Sequence, residues 1–362
     1  MVRRFLFTAD CHIKRRTWVN HVQPEGDSYE ALRKLGRQLD ITPPVTTLVL
    51  GGDFFDGNRP TSTDEVEAVK FLSGFKQVLY IRGNHDNVTP SYLEALLSQL
   101  TDVELIELTP EGVTLDKDTP DEVNIHGVSW TASREELLET LRSIPEVTCP
   151  QYVVLHTSFK HLLEIGSWQL SEDDITDIFG NRQVRILVGD VHTRNTLQLQ
   201  HGYIHSPGST YPCSWPRPGT TYAASLIDAV SGEITQVDCT VRDYTDVKYT
   251  GEEDLKKTIF GLFMHRELPP VIRLQVPSDV TCRINPSDYP DAIILIQKAV
   301  SGQNMDGVRP LYQAGVSVED AVRQEAPSKE VADLAVSLML SDDPAGLLDE
   351  WMNFWNVERI VL

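Results

Sequence analysis

Five short apolar segments, each closely followed by an aspartate, an asparagine or a histidine, constrain the fold of this chain most. The segments are residues 4–8, 47–50, 77–81, 151–155 and 185–188. Their length and composition predict buried strands, and apolar side chains at helical spacing in residues 28–39 and 65–75 predict helices between them. Alternating strands and helices indicate an α/β fold, in which ligands gather outside the carboxyl ends of the strands. We therefore expect the polar residues after these strands to converge on one site.

The residues at these strand ends are of the types that bind divalent metal ions. A lone aspartate or histidine in such a place is usually a turn residue or a helix N-cap, but a whole set is harder to explain in that way. Carboxylates and imidazoles, without a set of thiolates, suit ions such as Mn²⁺. Two ions held by such a set could clamp the attacking and leaving oxygens of a phosphoryl group and activate a water molecule. The candidates are Asp10, His12, Asp53, Asn84, His85, His156, Asp190 and His192.

The composition restricts the partners and the location of the protein. A formal net charge of −21 argues against a surface that adheres broadly to nucleic acid or to anionic membranes, so any contact with DNA has to come from local basic patches. Five scattered cysteines without a C-x-x-C pair favour a reducing compartment. The apolar run at the N-terminus is too short for a signal peptide or a membrane span. We expect a cytoplasmic protein that does not associate with membranes, in the host cytoplasm if a phage encodes it.

The strand-end motifs resemble those of the calcineurin-like metallophosphoesterases, in order and in spacing. The matching motifs are D-x-H at 10–12, G-D at 52–53, G-N-H-D at 83–86, the strand-terminal His156 and G-x-x-H at 189–192. The resemblance implies a four-layer α/β/β/α sandwich that holds two divalent metal ions. Mn²⁺ is the expected ion, and Mg²⁺ is the alternative. The ligands it implies are Asp10, His12 and His192 for the first ion, Asp53 as the bridge, and Asn84, His156 and Asp190 for the second.

The same resemblance gives roles to the two residues that follow Asn84. His85 would act on the phosphate or protonate the leaving oxygen. Asp86 would form a hydrogen bond with His85 and orient it. Asp190 departs from the usual G-H-x-H of the family, but a carboxylate still binds hard divalent ions and its charge should favour Mn²⁺ or Mg²⁺. A weakened or inactive second metal site is the alternative.

Flanking segments narrow the resemblance to the SbcD-type nucleases. GDFFDGNRPT at 52–61 resembles a segment of that family and lacks the V-D-R-G continuation of Ser/Thr protein phosphatases. HSPGST at 205–210, followed by TTYAASLID at 220–228, is similar to the turn and core strand that close its phosphoesterase domain. In length and layout the chain is similar to the small subunits of phage recombination endonucleases of the T-even type. This implies a Mn²⁺-dependent DNA exo- and endonuclease of recombination, repair or replication, a homodimer within a heterotetramer that contains an SMC-like ATPase of the SbcC type.

The resemblance and the pattern together predict three parts of the chain. Residues 1–242 would form the nuclease domain. Residues 243–302 would form a small α+β capping domain that helps to bind DNA, with a linker at 243–248, a helix at 252–264, a strand at 270–276 and either a helix or a strand at 289–300. Residues 303–362 would form a C-terminal helical segment. Its apolar stripe at 347–355 would pack back on the chain or bind the ATPase partner.

A narrow positive rim is expected on the loops that leave the metal site. The candidate DNA contacts are Lys14, Arg15, Arg16, Arg59 and Arg194. Trp18 and Tyr211 could stack on an unpaired base or lie in the core. Two other functions stay open: a stand-alone phosphodiesterase for cyclic or dinucleotide substrates, and a non-catalytic scaffold with the phosphoesterase fold.

Overall fold

A computed structural model describes residues 4–15, 25–39, 45–57, 59–87, 92–97, 102–160, 169–213, 215–216, 220–263, 266–277, 280 and 284–298. The predictions for Arg16, for Trp18 and for the helical segment at 303–362 lie outside these residues. The strands are β1 (Arg4–Thr8), β2 (Thr47–Gly51), β3 (Gln77–Ile81), β4 (Glu104–Glu107), β5 (Val113–Leu115), β6 (Val123–Val128), β7 (Gln151–His156), β8 (Val184–Gly189), β9 (Asn195–Leu199), β10 (Gly202–Ser206), β11 (Ala223–Asp228), β12 (Ile234–Asp238), β13 (Tyr244–Lys248), β14 (Val271–Val276) and β15 (Ile293–Lys298). The helices are α1 (Asp27–Gln38), α2 (Ser62–Leu72), α3 (Tyr92–Leu97), α4 (Arg134–Ser143), α5 (Glu172–Phe179) and α6 (Glu252–Phe263), with a 3-10 turn at Pro286–Asp288.

Two six-stranded sheets form the body of the molecule. The first has the order β12-β11-β1-β2-β3-β4, and the second has the order β5-β6-β7-β8-β10-β9. Strands β1 to β4 run parallel to one another, as do β6, β7, β8 and β10. The carboxyl ends of β1, β2 and β3 therefore lie together at one edge of the first sheet, and those of β7 and β8 lie together at one edge of the second.

The inner strands β2, β7 and β8 are buried on both faces, which explains their continuous apolar sequences. Between the sheets, Phe5, Phe7 and Val49 of the first belong to one core with Tyr152 and Val154 of the second. Residues of opposite parity on the same strands face the helices, because side chains alternate along a strand. Thus α1 and α2 cover the first sheet, and α4 and α5 cover the second. This α/β/β/α layering confirms the predicted fold class.

The start of helix α2 differs from its prediction. The pattern predicts a helix over 65–75, whereas α2 spans Ser62–Leu72. A capping box sets the earlier start: the Thr61 hydroxyl accepts a hydrogen bond from the Asp64 amide, and the Asp64 side chain accepts one from the Thr61 amide. These bonds satisfy amides that the first turn leaves free, so the local chemistry outweighs the apolar spacing.

A third, three-stranded parallel sheet follows the sandwich, in the order β13-β14-β15. Its own core includes Leu255 and Ile259 of α6 with Ile272, Leu274 and Ile294 of the strands. The prediction of a linker at 243–248 is wrong, because residues 244–248 form β13 and pair with 271–275. The segment at 289–300, left open between helix and strand, contains a strand. None of the helices that the structure describes has the length and apolar character needed to cross a membrane.

Candidate metal centre

The strand ends of the two sheets bring the predicted polar residues to one place. Asp10 and His12 follow β1, Asp53 follows β2, and the segment 84–86 follows β3. His156 ends β7 and lies opposite Gly189 of β8, just before Asp190. The two sheets meet here, since Nδ1 of His156 donates a hydrogen bond to the carbonyl of Gly51 at 2.8 Å.

Donor atoms of four residues form the first half of the centre. Nε2 of His12 lies 3.2 Å from Nε2 of His192 and 3.6 Å from Oδ2 of Asp53. Oδ1 of Asp10 lies 3.6 Å from Nε2 of His192 and 4.0 Å from Nε2 of His12. Asp10 is fully buried, whereas the side chain of His192 is 43% exposed. This half is therefore closed on the protein side and open at His192.

The second half is centred on His156. Its Nε2 lies 3.1 Å from Oδ1 of Asn84, 3.5 Å from Oδ2 of Asp53 and 4.0 Å from Oδ1 of Asp190. The same Asp53 oxygen therefore faces the imidazoles of both halves. A carboxylate in this position could contact an ion in each half.

The spacing and the chemistry of these donors fit divalent metal ions. Ligand atoms about 2.0–2.2 Å from one ion lie roughly 3–3.5 Å from each other, close to the separations found here. The Nδ1 hydrogen of His156 is held by a carbonyl, so Nε2 is the nitrogen that would bind an ion once its own proton has left. The two facing Nε2 atoms of His12 and His192 repel each other unless a proton or a cation lies between them. The fold implies divalent metals, and these residues could hold them.

The backbone of the centre is strained at four of the predicted ligand positions. Asp10, His12, Asp53 and Asp190 have φ values of 51°, 37°, 51° and 73°, in the left-handed region that non-glycine residues seldom adopt. Backbone hydrogen bonds hold this geometry, from Asp10 N to Gly52 O at 3.2 Å and from His12 N to Asp53 O at 2.9 Å. Such strain costs about 1–3 kcal/mol per residue and is typical of functional sites.

Two motif glycines are required by close approach. Gly52 has a φ of 89°, and a Cβ there would overlap Nδ1 of His156. A Cβ at Gly83 would overlap Oδ1 of Asp53. A side chain at Gly52 would displace His156, and one at Gly83 would displace Asp53.

The charges of the centre shift the pKa values of its members in opposite directions. Burial opposes ionisation of Asp53, but its hydrogen bond and charge interaction with His156 outweigh burial and lower the Asp53 pKa to about 2. Burial likewise opposes protonation of His156, but Asp53, Asp10 and Asp190 raise its pKa to about 10. Burial raises the pKa of Asp10. A proton on His156 thus balances these carboxylates where a metal ion would do so, and a bound ion would displace it.

His85 and Asp86 do not interact as predicted. Nδ1 of His85 donates to the carbonyl of Asp56 at 2.8 Å, and the exposed ring lies at the rim of the centre. The Asp86 carboxylate instead accepts hydrogen bonds from the amides of Gly83 (2.7 Å), Phe54 (2.9 Å) and Asp53 (3.3 Å). The predicted bond between Asp86 and His85 is wrong because these backbone amides occupy the carboxylate.

Two positioning residues are absent from the sequence predictions. Asp56 lies with Oδ1 3.4 Å from Nδ1 of His12, too poorly aligned for a full hydrogen bond, and its carbonyl holds His85. Ser158 donates to Oδ2 of Asp190 at 2.7 Å. Asp56 lies inside the conspicuous 52–61 segment, whereas a serine two residues after His156 gives no such signal.

Two further residues adjoin the first half of the centre. Tyr211 is fully buried and its hydroxyl donates to the carbonyl of His12 at 2.7 Å, so it belongs to the core rather than to a base-stacking surface. The thiol of Cys213 lies near the ring nitrogens of His12 and His192. Burial and the charge of Asp10 raise the Cys213 pKa to about 12, so this thiol is protonated at neutral pH.

The predicted basic rim is partly neutralised by the protein itself. Lys14 pairs with Asp56 at 2.7 Å, and Arg15 pairs with Glu25 at 3.2 Å. Arg59 is exposed, and Arg194 is half-buried with a buried Nε that makes no hydrogen bond to any of the described residues.

A two-sheet α/β/β/α sandwich with carboxylates, imidazoles and one amide gathered at its strand ends defines the class of metallophosphoesterases. Residues 3–200 match the family described as calcineurin-like phosphoesterase. The chain belongs to this family.

Comparisons with individual proteins give more distant likenesses. The chain is similar to the DNA double-strand break repair protein Mre11 of Saccharolobus solfataricus, 27% identical over 213 residues that cover 56% of this chain and 52% of that protein. It is 22% identical to the Mre11 of Methanosarcina mazei over 325 residues, 84% of this chain and 51% of that protein. The chain thus spans about half the length of the curated relatives it matches. A solved structure of TT1561 of Thermus thermophilus is 14% identical, with a TM-score of 0.41, over 66% of this chain and 100% of that one.

Proposed function

We propose that this chain is the nuclease subunit of a DNA-processing complex, and that it hydrolyses DNA phosphodiesters with two divalent ions. Mn²⁺ is the expected ion, and Mg²⁺ is the alternative. One observation carries the proposal: Oδ2 of Asp53 lies 3.6 Å from Nε2 of His12 and 3.5 Å from Nε2 of His156, so one carboxylate faces two ligand clusters. Bound ions in such a pair activate a water molecule and stabilise the charge of the attacking and leaving oxygens. The proposed ligands are Asp10, His12 and His192 on one side, Asn84, His156 and Asp190 on the other, and Asp53 between them.

His85 has the position of a proton carrier. A carbonyl oxygen can only accept a hydrogen bond, so the bond to Asp56 fixes the proton of His85 on Nδ1. Its Nε2 is then the nitrogen that would take up a second proton and pass it to the leaving oxygen of the substrate. The exposure of the ring at the rim gives a phosphodiester access to it.

The choice of DNA as substrate draws support from the function of the relatives and from the 52–61 segment. Both Mre11 proteins are described as DNA double-strand break repair proteins. By the same reasoning, residues 243–302 would help DNA to reach the centre and residues 303–362 would bind an SMC-like ATPase of the SbcC type. The complex would contain two copies of the chain.

A cleavage assay separates this proposal from its rivals. Purified protein with Mn²⁺ is incubated with labelled duplex DNA, with a cyclic nucleotide or with either substrate plus a chelator. We expect shortening of the DNA that the chelator abolishes. Turnover of the cyclic nucleotide with intact DNA would favour a stand-alone phosphodiesterase, and no reaction with either substrate would favour a non-catalytic scaffold.

A pair of variants ties the activity to the centre. Asp53→Asn removes the charge that faces both halves and should reduce cleavage to the level of the chelator control. Asp102→Asn makes the same change at an exposed position before β4 and should cleave like the wild type. Equal cleavage by both variants would contradict the proposal.

A further inference from the structure

Asp190 poses a geometric problem that an imidazole at this position does not. A carboxylate is shorter than an imidazole and can turn either oxygen towards an ion. Its backbone is already fixed, since the Asp190 amide donates to Oδ1 and Oδ2 of Asp10 at 3.0 and 3.1 Å. Its side chain is 29% exposed and therefore has room to rotate.

Ser158 removes this freedom. The hydroxyl of Ser158 donates to Oδ2 of Asp190 at 2.7 Å, and Oδ1 is the oxygen that lies 4.0 Å from Nε2 of His156. One carboxylate oxygen is thus occupied by the serine, and the other points to the second half of the centre.

The parallel pairing of β7 and β8 explains how two residues 32 positions apart meet. His156 pairs with Gly189, so the residues just beyond these strand ends, Ser158 and Asp190, leave the sheet side by side. The backbone of Ser158 is also held, because the amide of Leu170 donates to its carbonyl at 3.1 Å. The hydroxyl is therefore placed by the fold and not by a flexible loop end.

We infer that Ser158 is a positioning residue that makes Asp190 an effective ligand in place of the family's imidazole, so that a second ion would be held by three oxygen ligands and one nitrogen. The oxygens come from Asp53, Asn84 and Asp190, and the nitrogen comes from His156. A neutral hydroxyl donor orients the carboxylate without cancelling its charge, as a lysine or an arginine would. This inference rests on the metal centre of the proposed function, but not on the identity of the substrate.

Metal titration without DNA tests the inference. Binding of Mn²⁺ is followed by the loss of the electron paramagnetic resonance signal of the free ion, for the wild type, Ser158→Ala and Ser158→Thr. Partners that orient a metal ligand typically change affinity by about 10–100-fold when removed. We expect Ser158→Ala to weaken the second Mn²⁺ binding event about tenfold and to leave the first unchanged. Ser158→Thr keeps the hydroxyl and should restore binding.

A second background shows whether Ser158 acts through Asp190. In Asp190→Ala, the additional change Ser158→Ala should have no further effect on Mn²⁺ affinity. An equal loss with and without the Asp190 carboxylate would overturn the inference, as would wild-type binding by Ser158→Ala or failure of Ser158→Thr to rescue it. Thermal unfolding in chelator confirms that the variants are folded. A protein that binds two ions with this dependence but leaves DNA intact would contradict the proposed substrate alone.

Discussion

At the scale of single residues, the adjacent His85 and Asp86 have different environments. Replacing Asp86 should lower stability, whereas replacing His85 should lower activity. Asp86 is held by three backbone amides, so Asp86→Ala leaves these donors without partners and should lower the free energy of unfolding by about 1–3 kcal/mol. His85 is exposed, so His85→Ala should change stability by less than about 0.5 kcal/mol. It should instead slow DNA cleavage by about 10²–10⁴-fold.

Urea denaturation in chelator and cleavage rates with Mn²⁺ measure the two effects separately. His201→Ala, in the turn between β9 and β10, is the matched control and should alter neither quantity. If Asp86→Ala proved as stable as His85→Ala, the role of Asp86 in holding the motif loops would be wrong. If His85→Ala cleaved at the rate of the wild type, His85 would not be the proton carrier.

The contacts of single side chains are also the part of the site that the sequence predicts least well. Residues that follow strands, such as Asp53 and His156, can be predicted because the carboxyl ends of parallel strands meet in space. Ser158 could not be predicted in this way, because its partner lies on another strand end and a serine is common in loops. The predicted partner of Asp86 is wrong because the sequence does not show which backbone amides the motif loops turn towards its carboxylate.

At the scale of elements, strand β10 carries a histidine that the core keeps neutral. His205 is fully buried, with Nδ1 2.7 Å from Oγ1 of Thr196 and Nε2 2.7 Å from Oγ of Ser225. Burial, with a smaller contribution from the charge of Arg194, lowers the His205 pKa to about 3. The unfolded chain, with a histidine pKa of about 6.5, binds the proton first as the pH falls. The contribution of His205 to stability is therefore complete above about pH 6.5 and is lost progressively towards pH 3.

A glutamine substitution tests this pH dependence. His205→Gln has no such proton to bind, so between pH 7.5 and pH 5.5 it should lose about 1 kcal/mol less free energy of unfolding than the wild type. Urea denaturation in chelator at the two pH values measures the difference. His201→Gln, in the turn between β9 and β10, is the control for the substitution itself. Identical slopes for His205→Gln and the wild type would show that His205 does not contribute.

A buried ion pair joins helix α1 to the segment that enters strand β13. Arg242 and Asp27 are almost fully buried and lie 2.6 Å apart, and the Tyr244 hydroxyl donates to the same carboxylate. Arg242→Met leaves this carboxylate without its cation and should lower the free energy of unfolding by about 3–5 kcal/mol.

A change at Asp27 and a control at a second, more exposed ion pair complete the test of the buried pair. Adding Asp27→Asn to Arg242→Met should recover part of the loss in urea denaturation, because it removes the unpaired charge. Arg266→Met breaks a half-exposed pair with Asp243 nearby and should cost about 1 kcal/mol or less. Strictly additive effects of the Arg242 and Asp27 changes would contradict the coupling.

The sequence predicts an element well when the segment itself carries the apolar pattern. It predicts an element poorly when pairing or hydrogen bonding with other residues determines the structure. Strands β1 and β3 match their predictions because each is a short apolar run. The polar sequence of β13 has no such run, and its pairing with β14 makes it a strand. The earlier start of α2 depends on the bond between Thr61 and Asp64, which apolar spacing does not register.

At the scale of the whole molecule, the parallel strands explain both the layered sandwich and the position of the centre. Parallel strands that need cover on both faces also deliver their carboxyl ends to one edge. The alternating pattern therefore predicts both the layers and the place of the site. The net charge of −21 sets the limit for DNA binding, since an acidic body leaves only local cations to meet the phosphates.

The salt dependence of DNA binding should reveal how few cations take part. Each phosphate contact contributes about −0.9 to the slope of log K against log salt concentration, and Lys14 and Arg15 are already paired with carboxylates. We expect a shallow slope of about −2 to −3 for duplex DNA, measured by fluorescence anisotropy in the His85→Ala background to prevent cleavage.

Arg59, exposed and without an ion pair among the described residues, should account for about one unit of this slope, so Arg59→Ala makes the slope shallower by about 1. Arg142→Ala, at an exposed position at the end of α4, should leave it unchanged. A slope steeper than about −6, or equal slopes for Arg59→Ala and Arg142→Ala, would place the DNA on a different surface of the protein.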